Sequence, residues 1–390
     1  MIEAVLVVAG GLFGTAIITH RYGYRLGGTV TLPVLALYTL KTFWMLPLFI
    51  MSGIIGYLAL YIAREHTLIY GRQELHVALI AGSVPPVILL LLLPVVSPVA
   101  EESITQLSFL GGIVPGLAAY NFHQIRPEYR WTELAVAAGF TSLLIVGGAL
   151  LVSPQNTILT EITPSILFSQ TSDIAQFRNA VVQRNLPQEI AVRPLIILLL
   201  GIGMVITETI RARLGLRMGI ITIGLIALFT VSSRRLLFLF LMIVPICFVI
   251  ITICNRRFML YGRVLIGIGT GIGVLLAPIF LQLLGGTRGL SALFVGMIAG
   301  IDAYNVHTTA PVERRQSIPL AIGVYAILLL LTRAFVSPFR RGFPQEFGFI
   351  QVAGLLLLGA LGIGVAMRFH TPLPSDESVF SASILSGGDE

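Results

Sequence analysis

The stretch RLGGTVTLPVLALYT, from Arg25 to Thr39, returns as LRMGIITIGLIALFT from Leu216 to Thr230, with Gly28, Thr31, Ala36, Leu37 and Thr39 each reappearing 191 residues later. The offset holds further along the chain. TLIYGR (Thr67 to Arg72) returns within RFMLYGR (Arg257 to Arg263) at the same 191, and GLAAYNFH (Gly116 to His123) returns as GIDAYNVH (Gly300 to His307) at 184. Three ordered matches at nearly one spacing, in otherwise unlike sequence, mark a duplicated unit of about 145 residues. Each half therefore reads as one complete module.

Composition places that module in a bilayer. The chain of 390 residues is 56% hydrophobic and 11% charged, with a mean hydropathy of +0.93, whereas soluble domains average about 25% charged residues. So much apolar surface cannot be hidden inside a water-soluble globule. The fold class expected is an all-α polytopic membrane protein of two parallel repeats, each with about six apolar segments, plus one extra C-terminal span. Lys41 is the only lysine, so the net charge of +7 is carried by arginine and reads as topology. No basic stripe interleaved with aromatics is present, which argues against nucleic acid as a partner. Cys247 and Cys254 lie seven apart in one apolar run, about 10 Å along a helix, too far for a disulfide.

The apolar runs of the first half lie near 2–19, 28–41, 44–63, 75–96, 107–122 and 132–153. Those of the second lie near 195–210, 218–232, 236–253, 264–284, 289–303 and 318–337, and a thirteenth at 348–367 has no counterpart. Several are short against a hydrocarbon core of about 30 Å, so the second and fifth of each half are candidates for re-entrant or broken helices. Arginines of each half gather in the turns after runs one, three and five, with Arg234, Arg235, Arg340 and Arg341 breaking the pattern. Short arginine-rich loops face the cytoplasm, so the N-terminus is expected outside and the C-terminus inside a multi-pass cell-membrane protein. The first run lacks the basic lead of a signal peptide and reads as a retained span. The expected division is 1–153 for the first repeat, 154–194 for a polar external linker, 195–337 for a degenerate second repeat, 338–368 for the extra span and 369–390 for a disordered cytoplasmic tail. Within the linker, Ile174, Phe177 and Val181 share a helical face.

Candidate site residues fall in two groups. Tyr70, Gly71 and Arg72, with their copies Tyr261, Gly262 and Arg263, end a span in a basic turn. They read either as an interfacial anchor with a positive-inside arginine or as a partner-docking or anion-binding turn. In GGIVPGLAAYNFHQ (Gly111 to Gln124), Pro115 and Gly116 interrupt an apolar run. Irregular backbone at membrane depth survives only where protein or a water-filled cavity covers it, which is how broken helices line binding sites. Asn121 and His123, with Asn305 and His307 in the second copy, would then offer donors to an anionic ligand; the alternative is polar residues at a helix exit. Asp302 stands where the first half has Ala118, and an acid within a span is a functional candidate, here paired with Arg288 or Arg314. Glu208 and Lys41 read as interfacial snorkellers. GxxxG spacings at Gly10/Gly14, Gly269/Gly273 and Gly296/Gly300 suit close helix packing, although about four such spacings arise by chance in a chain this rich in glycine. There is no GxxxxGK[ST], GxSxG, HExxH or CxxC, so no catalytic residue, metal ligand or cofactor is expected, and ATP hydrolysis must belong to another subunit.

A LxYGR turn, an apolar hairpin, a GGIVPGL segment and one more span together resemble the CapC/PgsC membrane subunit of poly-γ-glutamate synthase. The first half carries the resemblance in Leu68, Tyr70, Gly71, Arg72, Gly112, Val114, Pro115, Gly116 and Leu117. The second keeps Tyr261, Gly262 and Arg263 but reads FVGMIAGIDAYN at the VPG position, and only Pro33 is left of an earlier VPG. The resemblance implies a non-catalytic subunit that partners a cytoplasmic ATP-dependent amide ligase (CapB/PgsB-like), an anchored extracytoplasmic subunit (CapA/PgsA-like), membrane lipids and anionic polyglutamate. Outside that resemblance stand a stand-alone secondary transporter for a small anion and a purely structural scaffold.

Overall fold

A computed structural model describes residues 2–41, 43, 45–69, 71–96, 110–152, 193–214, 216, 219–285, 289–338 and 342–369. Residues 154–192 of the expected linker and the tail beyond Phe369, together with Tyr70, Arg288 and the 174–181 stretch, lie outside these residues, whereas 193 and 194 already belong to a helix. Among those described there is no strand, and every expected apolar run is a helix. The first half comprises α1 (Ile2–Tyr22), α2 (Thr31–Lys41), α3 (Met45–His66), α4 (Arg72–Val96), α5 (Leu110–His123) and α6 (Arg130–Val152). The second comprises α7 (Arg193–Leu214), α8 (Ile220–Ser232), α9 (Arg234–Phe258), α10 (Arg263–Leu283), α11 (Gly289–Thr308) and α12 (Pro311–Phe335), followed by the unpaired α13 (Phe349–Arg368). Among the described residues, eight helices are long and apolar enough to cross a membrane.

The two halves interlock. The first helix of each packs on the fourth helix of the other: α1 on α10, and α7 on α4. Alanine and glycine permit the first of these contacts, because a Cβ at Gly267 would meet Ala16 and the Leu12 carbonyl, and one at Gly271 would meet the Phe13 ring. One apolar core consequently runs through both halves. It joins Leu12, Leu37 and Met45 to Ile243, Val274 and Leu281, and Tyr38 stacks on Phe294 with ring centroids 6.0 Å apart. A second core of α8, α12 and α13 includes Leu228, Leu328 and Leu355. The tightest pair is α10 on α11, where the two GxxxG motifs face each other: a Cβ at Gly273 would strike the Gly296 carbonyl, and one at Gly300 the Gly269 carbonyl. Gly14 instead makes room for the Phe140 ring, and Gly10 faces open space.

The second segment of each half is short for a physical reason. After Tyr22 the chain turns back along α1, so that Thr15, midway along that helix, donates a hydrogen bond to the Thr29 carbonyl at 3.1 Å. Gly11 lies against Pro33, so α2 starts beside the middle of α1. Its 11 residues then extend about 16 Å at ~1.5 Å each, and Leu40 at its far end packs on Gly148 of α6. Loop and half-helix together cover the depth that one helix would span.

The irregular backbone is therefore in the loop at 23–30, not at Pro115 and Gly116 where the glycine and proline pattern places it. Helix α5 runs unbroken through Pro115. Gly116 serves close packing, since a Cβ there would collide with the Ala78 carbonyl of α4. Gly300 makes the same approach to Gly269, its repeat equivalent.

Candidate functional site

Three glycines and Leu26 carry the loop through left-handed backbone, with φ of 74° at Gly23, 52° at Leu26, 65° at Gly27 and 117° at Gly28. Such backbone has no ladder to satisfy its amides, so side chains must do so. Glu133 of α6, 6% exposed, accepts hydrogen bonds at Oε2 from the Arg25 and Leu26 amides at 2.8 and 3.2 Å. Asn121 of α5 donates from Nδ2 to the Gly27 and Leu117 carbonyls at 3.2 and 2.8 Å. Thr31 donates to the Gly27 carbonyl at 3.0 Å. Glycine is required at position 28 on a second count, because a Cβ would sit 2.8 Å from both Asn121 Nδ2 and Thr31 Oγ1.

The second half keeps the glycine, threonine and asparagine of the device and exchanges two other positions, Asp302 for Ala118 and Ser317 for Glu133. A Cβ at Gly219 would sit 2.8 Å from Asn305 Nδ2 and Thr222 Oγ1 and 2.9 Å from Asp302 Oδ1. Here Asp302, in the place of Ala118, accepts from Thr222 Oγ1 and from Asn305 Nδ2 at 3.5 Å. The expected Asp302–Arg314 pair does not form. Arg314 donates instead to the His307 and Thr309 carbonyls at 2.8 and 2.9 Å and lies over the Phe248 ring at 5.3 Å. Asp302 and Asn305 border an apolar cavity of about 450 Å³ that continues along Ile226, Phe240, Ile322 and Tyr325.

The ends of α3 and α5 and the starts of α4 and α6 meet on one face in a polar cluster. Arg64 Nε pairs with Glu74 at 3.0 Å, and Gln124 donates to Glu74 at 2.9 Å; the carboxylate is 2% exposed while Arg64 is half exposed. His123 approaches Arg64 through Nδ1 at 3.4 Å and tilts on the Tyr57 ring at 5.5 Å. Arg130 donates to the Ile125 carbonyl and the Tyr57 hydroxyl at 3.2 and 3.0 Å. Tyr57, Tyr61, Arg64, Glu65, His123 and Arg130 line an open pocket of about 470 Å³. The corresponding corner of the second half keeps the frame, with Arg314 in the place of Arg130, and loses the Arg64–Glu74 pair. His307 meets Thr252 at 3.1 Å and Phe248 edge-on, while Asn255, Leu265 and Thr308 stand where Arg64, Glu74 and Gln124 do.

The structure brings Asn121 and His123 to this face, as it does Asn305 and His307 in the second copy. It also explains the Tyr-Gly-Arg turns: Gly71 and Gly262 both adopt positive φ, 67° and 59°, immediately before α4 and α10 begin. Tyr261 is exposed and its hydroxyl donates to Met259 Sδ at 3.4 Å. Arg263 crosses between the halves, donating from Nη2 to Asn121 Oδ1 at 2.8 Å. Since α10 starts where α5 of the other half ends, the two repeats run in the same direction. Glu133, Thr15 and Arg130 are absent from the sequence-based candidates. Polar groups near span ends were the signal for Glu133 and Arg130, and a hydroxyl inside an apolar run the signal for Thr15. Among the described residues, no three His, Cys, Asp or Glu side chains are grouped to hold a metal ion.

Two like-oriented helical units in one chain, interlocked through their first and fourth helices, with polar clusters on one face, define a duplicated multi-pass membrane protein. The family model described as Capsule biosynthesis CapC matches residues 10–131 and 202–315, one stretch in each half, and the chain belongs to that family. It is a capsule-biosynthesis membrane protein. No curated protein and no solved structure gives a significant match.

Proposed function

We propose that the protein is the non-catalytic membrane subunit of a complex that makes and exports poly-γ-glutamate, an anionic capsule polymer. It docks a cytoplasmic ATP-dependent amide ligase and assists polymer formation or passage, with an anchored extracytoplasmic subunit on the far side. The family match across both halves carries this reading. The pocket at Arg64, His123 and Arg130 supports it, because Arg130 and the solvent-facing part of Arg64 offer guanidinium donors to carboxylates of the polymer in an open recess, beside Glu65. The arginine-bearing face is the cytoplasmic one in this proposal, where short arginine-rich loops are retained.

Deleting the gene should abolish secreted polymer, and the tagged protein should co-purify with the ligase from detergent extracts. Polymer secretion unchanged by the deletion, together with no ligase recovered, would refute the proposal. The Asp302 cavity favours one other reading, a secondary transporter for a small anion. Ion-gradient-driven uptake by the chain alone in liposomes would decide for it.

A further inference from the structure

The seam between the repeats holds an arginine that the protein itself does not satisfy. Nη1 of Arg263 is shielded from solvent and has no hydrogen-bond partner among the described residues, while Nη2 is held by Asn121 Oδ1. A closed-off donor on a cation, left without an acceptor, is costly, so such a group points to a missing ligand. The ionisable neighbours are Arg25, Glu133, Tyr120 and Tyr304. Two of these, Tyr120 and Tyr304, are repeat equivalents reaching the seam from opposite halves. The only carboxylate of the set, Glu133, is already engaged by the Arg25 and Leu26 amides. Positive charge is therefore in excess at the seam, and Arg263 as a residue is partly exposed although its Nη1 is shielded.

The second repeat differs at the corresponding place. At the position of Ala118 it carries Asp302, whose carboxylate sits beside Asn305, the counterpart of Asn121. The first repeat has the same asparagine, threonine and glycine but only a methyl group in that place. We infer that the Arg263–Asn121 seam is a carboxylate-binding position, built jointly by the two repeats, that holds one residue of the anionic polymer. The inference rests on the proposed polymer function and adds a location to it. Because Arg263 and Asn121 come from different halves, a single repeat would form this site only with a second copy.

The test is binding of a synthetic γ-linked glutamate pentamer to the purified full-length chain in detergent, with thermal unfolding and ligase co-purification measured on the same samples. Arg263→Ala should weaken binding at least roughly tenfold, the loss expected for a charged hydrogen bond, and Arg263→Lys should recover part of it. Ala118→Asp should weaken binding similarly by supplying an internal carboxylate beside Asn121, with ligase co-purification intact. Pentamer binding by both Arg263→Ala and Ala118→Asp at the wild-type level would overturn the inference. If wild type ignores the pentamer yet ligase recovery depends on Arg263, the seam reads a protein partner and the polymer site is refuted, while the subunit reading stands. If no ligase associates with wild type but the pentamer binds through Arg263, the subunit reading fails and the site stands.

Discussion

Removing the Glu133 carboxylate should release the loop at 23–30. Glu133→Ala deletes an acceptor that receives two backbone amides, Arg25 N at 2.8 Å and Leu26 N at 3.2 Å. Neutral hydrogen bonds between helices in bilayers average only about 0.6 kcal/mol, but bonds to a charged group contribute about 1.5–3 kcal/mol and orphaned buried amides cost about 1–3 kcal/mol each. Leu26 is 1% exposed and held at a φ of 52°, so its amide has neither water nor a helical partner to turn to. A loss of about 2–4 kcal/mol follows for Glu133→Ala, and less for Glu133→Gln, which keeps an acceptor of the same shape. Ser317 stands at the equivalent position of α12 and makes only a 3.5 Å contact with the Arg314 carbonyl of its own helix. Ser317→Ala should therefore stay within about 0.5 kcal/mol of wild type. Reversible unfolding in mixed micelles, titrated with SDS and followed by circular dichroism, gives both numbers. Equal losses for the two alanine variants, or a Glu133→Ala loss under about 1 kcal/mol, would refute the assigned role of Glu133.

Gly300→Ala forces a Cβ into the Gly269 carbonyl and should cost about 1–3 kcal/mol by the same unfolding assay, whereas Gly364→Ala on α13 meets nothing within 4 Å and should be neutral or slightly stabilising. A double-mutant cycle of Arg64→Ala with Glu74→Ala should show coupling of about 1–2 kcal/mol, above the usual surface pair, because the carboxylate is 2% exposed and Arg64 is half in solvent. Arg314→Lys loses the fork that reaches two carbonyls and lies over Phe248, and should lower the thermal midpoint, as should Arg130→Lys in the first half. Unchanged midpoints in both would show that the clamp does not hold the corner.

Much of the fold is legible because duplication writes it twice. Apolar runs locate every α-helix among the described residues, and the shared offsets predict that Asn121 and Asn305 occupy equivalent places, as their contacts with the Gly28 and Gly219 positions show. The site is less legible because side-chain pairing across helices leaves no local pattern. Pro115 and Gly116 are conspicuous, yet a proline in a helix whose neighbour comes close at Ala78 needs no break. Gly23, Gly27 and Gly28 look like an ordinary basic turn until Thr15, Asn121 and Glu133 are seen to hold them against α1 and α6. Asp302 invites an arginine partner on charge alone. Its actual partners, Thr222 and Asn305, follow from the repeat, because Thr31 and Asn121 flank the same loop in the first half.

The parallel relation of the two repeats is tested most directly by cysteine labelling. In a background with Cys247 and Cys254 replaced, single cysteines at Glu65 and Arg256, both exposed and repeat-equivalent, are probed with a membrane-impermeant maleimide. The account predicts that both sites react in inside-out vesicles and neither reacts in intact cells. Labelling of one from each side of the membrane would contradict it.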